Sequence, residues 1–268
     1  MSVLDKILEK KFLEVEERKK QLPIDFIFRE LDRKERIGKV FYNSLKDSVS
    51  SGKPGLIAEI KFASPSKGVI RSDLTPERVA SIYDRSEYVD CISVLTERYF
   101  FNGDISFLGR VKSVSSKPIL RKDFIVDSYQ IYESAYYGAD CILIIAGCLE
   151  KSQIKNFLKI SKEINLDVLV ELYDEEDVKK VDGLDIEILG INSRNLKTLE
   201  ISLEHSLSII SKLSFKPHIF VAESGIKTKR DVIKAISFGF NSFLIGEAFM
   251  SSENISTKIE ELMKGIRF

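Results

Sequence analysis

PILRKDFIVDSYQIYESAYYGADCILII, residues 118–145, contains one complete strand–helix–strand unit. Its ends, PIL from Pro118 and CILII from Cys141, are short apolar runs of the kind found in strands that are buried on both faces. Asp127 precedes the segment between them and Gly138 ends it, at the positions of an N-cap and of a helix-terminating glycine. The stretch therefore predicts two parallel strands joined by a helix that covers the sheet.

Similar apolar runs repeat on both sides of this unit. Their starts lie roughly 20 to 35 residues apart, which leaves room for one helix and two short loops. Helical signals occupy the intervals, among them Thr75 followed by Pro76, and Thr228 before a segment that ends at Gly239. The eight runs are LIAEI from Leu56, CISVL from Cys91, PIL from Pro118, CILII from Cys141, VLVEL from Val168, EILGI from Glu187, HIFVA from His218 and SFLIG from Ser242.

Eight successive units predict an α/β fold, a closed (β/α)8 TIM barrel. The competing architecture is an open doubly wound sheet, which would normally carry a Gly-rich dinucleotide-binding turn after an early strand, and none is evident. Residues 1–48 precede the first strand and are expected to form a helical extension packed on the barrel. We expect residues 1–268 to form a single domain. One face of the first helix is predicted to consist of Leu4, Ile7, Leu8, Phe12 and Val15.

The charge balance argues against a nucleic-acid or membrane partner. The 268 residues include 41 Lys and Arg against 41 Asp and Glu, whereas a binder of phosphate backbones or anionic lipids usually carries a basic excess. The longest strongly apolar stretch, residues 141–148, is too short to span a bilayer. The charged N-terminus lacks the apolar core of a secretory signal, so we expect a cytoplasmic protein.

The metal-binding residue types are scarce. Cys91, Cys141 and Cys148 are odd in number without C-x-x-C spacing, and are expected to be reduced. With only His205 and His218 in addition, the chain has too few ligands for a zinc site, and a magnesium site built from carboxylates is possible but is not indicated.

Polar residues gather where the predicted strands end. In a barrel of this kind the carboxyl ends of the strands build the active site, whereas the amino ends here carry mostly turn residues. The asymmetry favours a functional site, although a solvated charge or an internal salt bridge would explain single residues such as Lys61 or Glu59. The strand ends supply Glu59 and Lys61, Thr96 and Glu97, Arg121 to Phe124, Glu171, Asn192 and Arg194, Glu223 to Gly225, and Gly246 with Glu247.

These residue types support two kinds of chemistry. Two lysines and several carboxylates in a partly dry pocket can supply a general acid and a general base near neutral pH. A lysine could instead form a Schiff base, as in an aldolase. The glycines in ESGI from Glu223 and in LIGE from Leu244 suit a phosphate, which barrels usually bind at this place. The loop from Ser64 to Gly68 could close over a substrate.

Together these motifs resemble the indole-3-glycerol phosphate synthase family over nearly the whole chain. The N-terminal segment LDKILEKKFLEVEERKK is similar to the leading helix of that family. Seven further motifs match in order, which makes the resemblance specific. They are IAEIKFASPSKG from Ile57, SVLTERYFFNG from Ser93, PILRKDFIVDSYQIYESAYYGAD from Pro118, LVEL from Leu169, GINSRNLKTL from Gly190, ESGI from Glu223 and FLIGEAFM from Phe243.

The resemblance implies that 1-(2-carboxyphenylamino)-1-deoxyribulose 5-phosphate is closed to indole-3-glycerol phosphate with loss of CO2 and water, without a cofactor or metal. By motif, Lys122 resembles the general acid that protonates the ketone, and Glu171 the base for the later dehydration. Lys61 resembles the residue that faces the substrate carboxylate, with Glu59 orienting it. Asn192 resembles a residue that contacts a substrate hydroxyl.

The remaining matched residues are expected to bind the substrate. Phe124 resembles part of an apolar wall. The others implied as phosphate, hydroxyl or pocket contacts are Ser64, Arg194, Glu223, Ser224, Gly225, Gly246 and Glu247. The chain departs from the family pattern at Ser193, Tyr173 and Phe62, which concerns substrate contacts and rate and not the class of reaction.

Two other interpretations stay open at this point. The same barrel could house a sugar-phosphate isomerase or a Schiff-base aldolase, or could bind a phosphorylated metabolite without turnover. In each case the expected partner is a small molecule. A monomer is compatible with N-terminal helices that cover one barrel end, and no fused second domain is expected.

Overall fold

A computed structural model describes residues 2–33, 35–195, 200 and 202–268. Eight parallel strands form a closed barrel in which each strand pairs with the next along the chain and the last pairs with the first. All eight strands predicted from the apolar runs are present, so the predicted (β/α)8 barrel is confirmed. Their bounds are β1 Gly55–Ile60, β2 Cys91–Leu95, β3 Ile119–Lys122, β4 Cys141–Ile145, β5 Asp167–Leu172, β6 Ile188–Asn192, β7 Ile219–Glu223 and β8 Ser242–Ile245.

Helices surround this barrel and also precede it. The N-caps predicted at Thr75, Asp127 and Thr228 are confirmed, since each side chain accepts a hydrogen bond from a backbone N–H of the first helical turn. The helices are α1 Val3–Gln21, α2 Ile24–Asp32, α3 Val40–Ser50, α4 Pro76–Asp84, α5 Arg98–Phe101, α6 Ser106–Lys112, α7 Ser128–Tyr136, α8 Lys151–Glu163, α9 Glu175–Val181, α10 Leu203–Ile210, α11 Lys229–Ser237, α12 Glu247–Met250 and α13 Ile255–Met263, with a 3-10 turn at Ala146–Cys148.

Alternate residues of each strand point into the barrel and out toward the helices. In β5, Val170 and Leu172 belong to the apolar shell between strands and helices, whereas Leu169 belongs to the barrel interior. Cys91 and Cys141 lie in that interior as free thiols. The polar residues Asp167 and Glu171 occupy the two ends of the same strand.

Helix α3 closes the amino-terminal end of the barrel. Phe41, Tyr42 and Leu45 are buried in the same cluster as the interior strand residues. The backbone N–H groups of Phe41 and Tyr42 donate to Asp167 Oδ2 at 2.9 and 3.0 Å. These bonds satisfy the first turn of α3 and fix the helix to the start of β5.

Helix α1 covers the opposite end, where the carboxyl ends of the strands meet. Leu4, Ile7 and Val15 are buried as predicted. The prediction for Phe12 is wrong, because its side chain is 54% exposed, whereas the neighbouring Lys11 is 1% exposed. Lys11 faces inward because two buried carboxylates receive its ammonium group.

Helix α2 packs on α7 through aromatic edges. Tyr132 contacts Phe28 with a centroid distance of 4.8 Å, and Tyr136 contacts Phe26 at 6.0 Å. These tyrosines are therefore packing residues between α2 and α7. In the described part of the chain, no helix has both the length and the apolar composition of a bilayer-spanning segment.

Candidate active site

A single pocket at the carboxyl ends of the strands contains all thirteen residues that the family resemblance assigns to catalysis or substrate binding, whereas Thr96, Glu97 and Arg121 do not line it. It has contributions from all eight strands or the loops that follow them, and from α1. The predicted residues that line it are Glu59, Lys61, Ser64, Lys122, Phe124, Glu171, Asn192, Arg194, Glu223, Ser224, Gly225, Gly246 and Glu247.

Lys122, at the end of β3, lies between two carboxylates on the far side of the barrel. Its Nζ is 3.1 Å from Glu171 Oε2 and also donates to Glu223 Oε2. Asn192 Nδ2 donates to the other oxygen of Glu171 at 3.1 Å. Both carboxyl groups are at most 2% exposed, so the three ionisable groups interact in a dry environment.

The two carboxylates differ in proton affinity. Burial raises the pKa of Glu171, but the Lys122 ammonium and the bond from Asn192 outweigh it, and the net pKa is lowered. Burial raises the pKa of Glu223 to about 8, the neighbouring Glu171 charge adding to this effect against the pull of Lys122. Glu223 Oε1 has no hydrogen-bond partner among the described residues. At neutral pH the site therefore holds an ionised Glu171 beside a Glu223 that carries a proton.

Lys122 itself remains charged. Burial lowers its pKa, but the charges of Glu223, Glu171 and Glu59, all ionised in the pH range where a lysine would lose its proton, outweigh burial and raise the pKa above its ordinary value. The pocket thus presents an ammonium group, ready to donate a proton, next to an ionised base.

A second lysine–carboxylate pair lies on β1. Lys61 Nζ is 2.6 Å from Glu59 Oε1, and the Glu59 side chain is buried. A glycine on or just after an adjacent strand makes room for each acid: a Cβ at Gly246, which follows β8, would lie 2.4 Å from Glu59 Oε1. A Cβ at Gly190 would lie 2.1 Å from Glu223 Oε1, so any larger residue at either position would displace a carboxylate of the site.

The chain turns sharply after β7. Ser224 and Gly225 both have left-handed backbone conformations, with φ of 64° and 81°. Such a conformation strains a residue with a Cβ, and strain of this kind is concentrated at functional sites. The turn brings both residues to the pocket rim, on the strand next to the one that leads to Gly246 and the start of α12.

Arg194 links three parts of the rim. Its Nη1 donates to Ser66 Oγ at 3.1 Å, its Nη2 lies 3.4 Å from Glu247 Oε2, and its backbone N–H donates to Asn192 Oδ1 at 2.9 Å. Lys67 Nζ is 3.8 Å from the other Glu247 oxygen. The loop after β1, which forms a short hairpin of Ala63–Ser64 with Gly68–Val69, is thereby held against the loops after β6 and β8.

An apolar wall faces these polar groups. Phe124 lies 6.4 Å from Phe101 between ring centroids. Glu97 accepts hydrogen bonds from the backbone N–H groups of Tyr99, Phe100 and Phe101, which holds helix α5 and places Phe101 at the pocket.

Several apolar residues of the pocket are not predicted from the sequence. The amphipathic pattern of α1 and the aromatic run YFF from Tyr99 were the available signals, but neither tells which barrel end the segment covers. The missed lining residues are Val3, Leu4, Ile7, Leu95, Phe101, Leu143 and Ile145.

The three departures from the family pattern point away from the pocket. Ser193 Oγ lies 2.9 Å from Ser206 Oγ of α10. The Tyr173 ring packs on His205 at 4.5 Å, and Phe62 meets Phe107 edge-on at 6.1 Å. Of the motif GINSRNLKTL, residues 196–199 lie outside the described residues.

In the ranges 2–33, 35–195 and 202–268, together with Glu200, no group of three or more His, Cys, Asp or Glu side chains could hold a metal ion.

The family model described as "Indole-3-glycerol phosphate synthase" matches residues 4–262. A protein of that name from Polaromonas sp. is 40% identical over 260 residues, covering 97% of both chains. Another from Caldanaerobacter subterraneus is 40% identical over 265 residues, covering 99% of both. Among solved structures, 3-hexulose-6-phosphate synthase from Salmonella typhimurium aligns with a TM-score of 0.62 at 14% identity, over 78% of this chain and 96% of that one, and bears on the fold alone.

Proposed function

The chain belongs to the indole-3-glycerol phosphate synthase family, and we propose that the residues of its barrel mouth close the indole ring of 1-(2-carboxyphenylamino)-1-deoxyribulose 5-phosphate. As a member of this family it is a carboxy-lyase of tryptophan biosynthesis. The products are indole-3-glycerol phosphate, CO2 and water.

One observation carries the assignment of roles: the Lys122 ammonium lies between Glu171 and Glu223, in a pocket whose opposite side holds the Lys61–Glu59 pair. Ring closure and dehydration require a proton donor and a proton acceptor that act on neighbouring atoms. A lysine that its surroundings keep charged and a carboxylate that they keep ionised supply both within 3.1 Å.

In the first step, the ring carbon that bears the carboxylate attacks the ketone carbon. The aniline nitrogen supplies the electron pair, a C–C bond forms, and the ketone oxygen takes a proton from Lys122. Negative charge develops on that oxygen as the bond forms, so an ammonium group already in place lowers the barrier.

In the second step, the bond between the ring and the carboxylate breaks and CO2 leaves. Its electron pair restores the aromatic ring and neutralises the iminium nitrogen. Lys61 faces the carboxylate before it leaves, and Glu59 holds the Lys61 ammonium in place. The apolar wall formed by Phe124 and Phe101 suits the neutral aromatic ring and the neutral product CO2.

In the third step, the hydroxyl formed from the ketone leaves as water, taking a proton from the Lys61 ammonium group, because Lys122 gave up its proton in the first step. Glu171 accepts the proton that the five-membered ring loses, which creates the indole double bond. The bond from Asn192 orients Glu171 for this transfer. In this assignment Asn192 also contacts a substrate hydroxyl.

The rim binds the remote end of the substrate. Backbone groups of Ser224, Gly225, Gly246 and Glu247, with Ser64 and Arg194, surround the phosphate and the hydroxyl chain in this assignment. Binding energy from the phosphate keeps the flexible chain folded and so lowers the entropic cost of ring closure.

The charge state of Lys122 argues against a Schiff-base aldolase. An amine that its surroundings keep protonated is a poor nucleophile, whereas its positive charge can stabilise the oxyanion that develops from the ketone and pass it a proton. Borohydride in the presence of substrate should trap no lysine adduct in this protein.

The test is the formation of indole-3-glycerol phosphate, followed by fluorescence in the presence of EDTA, by the wild type and by Lys122→Met. We expect the variant to lose about 10²- to 10⁴-fold in kcat, the usual contribution of a general acid. Lys117→Met is the matched control, because Lys117 precedes the same strand and donates to Ser86 O at 3.2 Å at the other barrel end. Equal turnover by both variants would refute the role of Lys122.

A further inference from the structure

Helix α1 is fixed to the barrel by a buried ion pair. Lys11 Nζ lies 2.8 Å from Asp123 Oδ1 and 2.8 Å from Glu14 Oε2, and the Lys11 side chain is 1% exposed. Asp123 belongs to the segment after β3 and is fully buried. A lysine that is buried to this degree is stabilised only by its carboxylate partners, so its position is closely determined.

Asp123 connects this pair to the catalytic strand. It stands between Lys122 and Phe124 in the sequence. Its Oδ2 accepts hydrogen bonds from Thr96 Oγ1 at 2.6 Å and from Arg121 Nη2 at 3.1 Å. Its Oδ1 accepts from the backbone N–H of Phe124 at 2.8 Å. With these partners Asp123 is held rigidly, and through Lys11 it fixes helix α1.

Lys11 lies on the same face of α1 as the residues that line the pocket. Leu4 and Ile7 precede it by seven and four positions, which places all three on one side of a helix. Leu4 and Ile7 are 7% and 3% exposed and line the pocket mouth together with Phe124. Helix α1 therefore forms an apolar roof over the mouth, and Lys11 is the point where this roof joins β3.

We propose that Lys11 is a positioning residue. Its ion pair with Asp123 fixes the distance between helix α1 and the barrel mouth, so that Leu4 and Ile7 confine the aromatic half of the substrate. This inference rests on the proposed function, since it assigns the roof to the ring that carries the carboxylate. Lys11 touches no reacting atom. Its removal loosens the aromatic subsite and leaves the phosphate rim and the proton-transfer groups in place.

The electrostatics agree with this geometry. Burial lowers the pKa of Lys11, but the charges of Asp123 and Glu14 outweigh burial and raise the pKa. The ammonium group is therefore charged throughout the working range of the enzyme. Replacing a merely structural lysine would weaken binding and turnover together. Replacing a positioning lysine should selectively weaken binding of the aromatic half of the substrate.

The experiment compares Lys11→Met with Lys6→Met, an exposed lysine on the same helix that receives the same substitution. We expect KM for the substrate to rise about tenfold in Lys11→Met, with kcat lowered less than about threefold, because a displaced roof weakens binding more than proton transfer. The pH profile of kcat should keep its wild-type limbs. Lys6→Met should match the wild type in both constants.

Two competitive inhibitors separate the subsites. Anthranilate represents the aromatic half of the substrate, and inorganic phosphate represents the remote end. We expect Lys11→Met to weaken inhibition by anthranilate about tenfold and to leave inhibition by phosphate unchanged. If both inhibition constants change equally, or if kcat and not KM carries the loss, Lys11 is a structural residue and the inference is wrong.

Leu4→Ala keeps the test decisive if Lys11→Met does not fold. This variant trims the roof directly and should weaken anthranilate inhibition without changing that by phosphate, whereas unchanged inhibition would overturn the inference. In Lys11→Met with Leu4→Ala, the two effects on KM should not add. Failure of the wild type to form indole-3-glycerol phosphate would refute the proposed function, and an active wild type with an unaffected Lys11→Met would refute this inference alone.

Discussion

At the carboxyl end of the barrel, Lys122, Glu171 and Glu223 converge from three strands, whereas at the amino end Phe41 and Leu45 of helix α3 are buried with the apolar residues of the barrel interior. Strand β5 contains one acid at each of these two ends of the barrel, both on its inward face. Its first residue is Asp167 and its fifth is Glu171, both acids and both buried. The two carboxylates have different partners, and these partners decide what each one does.

Asp167 has backbone partners and Glu171 has side-chain partners. Asp167 accepts two N–H bonds from the first turn of α3, and burial, its largest influence, raises its pKa. Glu171 faces the Lys122 ammonium and the Asn192 amide, which lower its pKa in spite of burial. An acid that accepts hydrogen bonds from the start of a helix stabilises the fold, whereas an acid next to a lysine ammonium group can take part in proton transfer.

The largest effect should come from replacing these two acids in turn. Glu171→Gln keeps the volume but removes the base, and we expect kcat to fall about 10²- to 10³-fold with the protein still folded. Asp167→Asn should keep its turnover and lose about 1 kcal/mol of stability, because a neutral acceptor holds α3 less strongly. Measurements of turnover and of urea unfolding on both variants check this. Comparable losses of turnover would show that the two barrel ends do not differ in function.

Much of this arrangement could be predicted from the sequence. The apolar runs that start at residues such as Leu56 and Cys141 predict the strands, because a strand covered on both faces leaves a continuous apolar signal. Once the strands are known, the barrel dictates that the polar residues after them meet at one end. For this reason all thirteen predicted site residues line one pocket.

The parts contributed by the N-terminal extension could not be predicted in this way. The amphipathic pattern of α1 shows that one side is buried, but not that Leu4 and Ile7 face the mouth while α3 closes the other end. Phe12 was assigned to the buried side because it is apolar, yet Lys11 occupies that side. The reason is a pairing with Asp123 more than a hundred residues away, and such long-range pairings leave no periodic trace in a sequence.

A second variant measures how strongly the amino end serves stability alone. Leu45 is fully buried in the interior cluster, and Leu45→Ala should reduce the free energy of unfolding by about 2 to 5 kcal/mol, the usual result of a core cavity. We expect kcat and KM at 25 °C to match the wild type, because the proposed catalytic groups lie at the other end. Denaturant unfolding and steady-state kinetics test the two statements separately, and a loss of kcat would show that the ends are coupled.

A third variant tests the proton on Glu223 through stability. The pKa of Glu223 is raised to about 8 by burial, above the ordinary value of 4.5. A raised carboxyl pKa means that the folded state favours the neutral form, so this stabilisation is present below pH 4.5 and is lost as the pH rises through about 8. Glu223→Gln is permanently neutral and does not have this dependence.

We therefore expect the wild type to lose roughly 1 to 3 kcal/mol of stability relative to Glu223→Gln between pH 5 and pH 9. The measurement is urea unfolding of both proteins at several pH values in that window. A constant difference across the window would mean that Glu223 is ionised throughout and that Lys122 alone balances both acids. The proton assigned to Glu223 at the carboxyl end of the barrel would then have to be placed elsewhere.

The smallest effect should come from a polar contact at the amino end. Tyr42 Oη and His218 Nδ1 lie 2.8 Å apart, and the tyrosine is buried while the histidine is exposed. His218→Phe keeps an aromatic ring beside Tyr42 and removes the hydrogen bond, which should cost less than about 1 kcal/mol because water can replace the lost partner. Turnover should be unchanged from pH 6 to pH 9. If the variant instead altered the pH profile of kcat, charge at the amino end would act across the apolar middle of the barrel, and the separation between a structural and a chemical end would not hold.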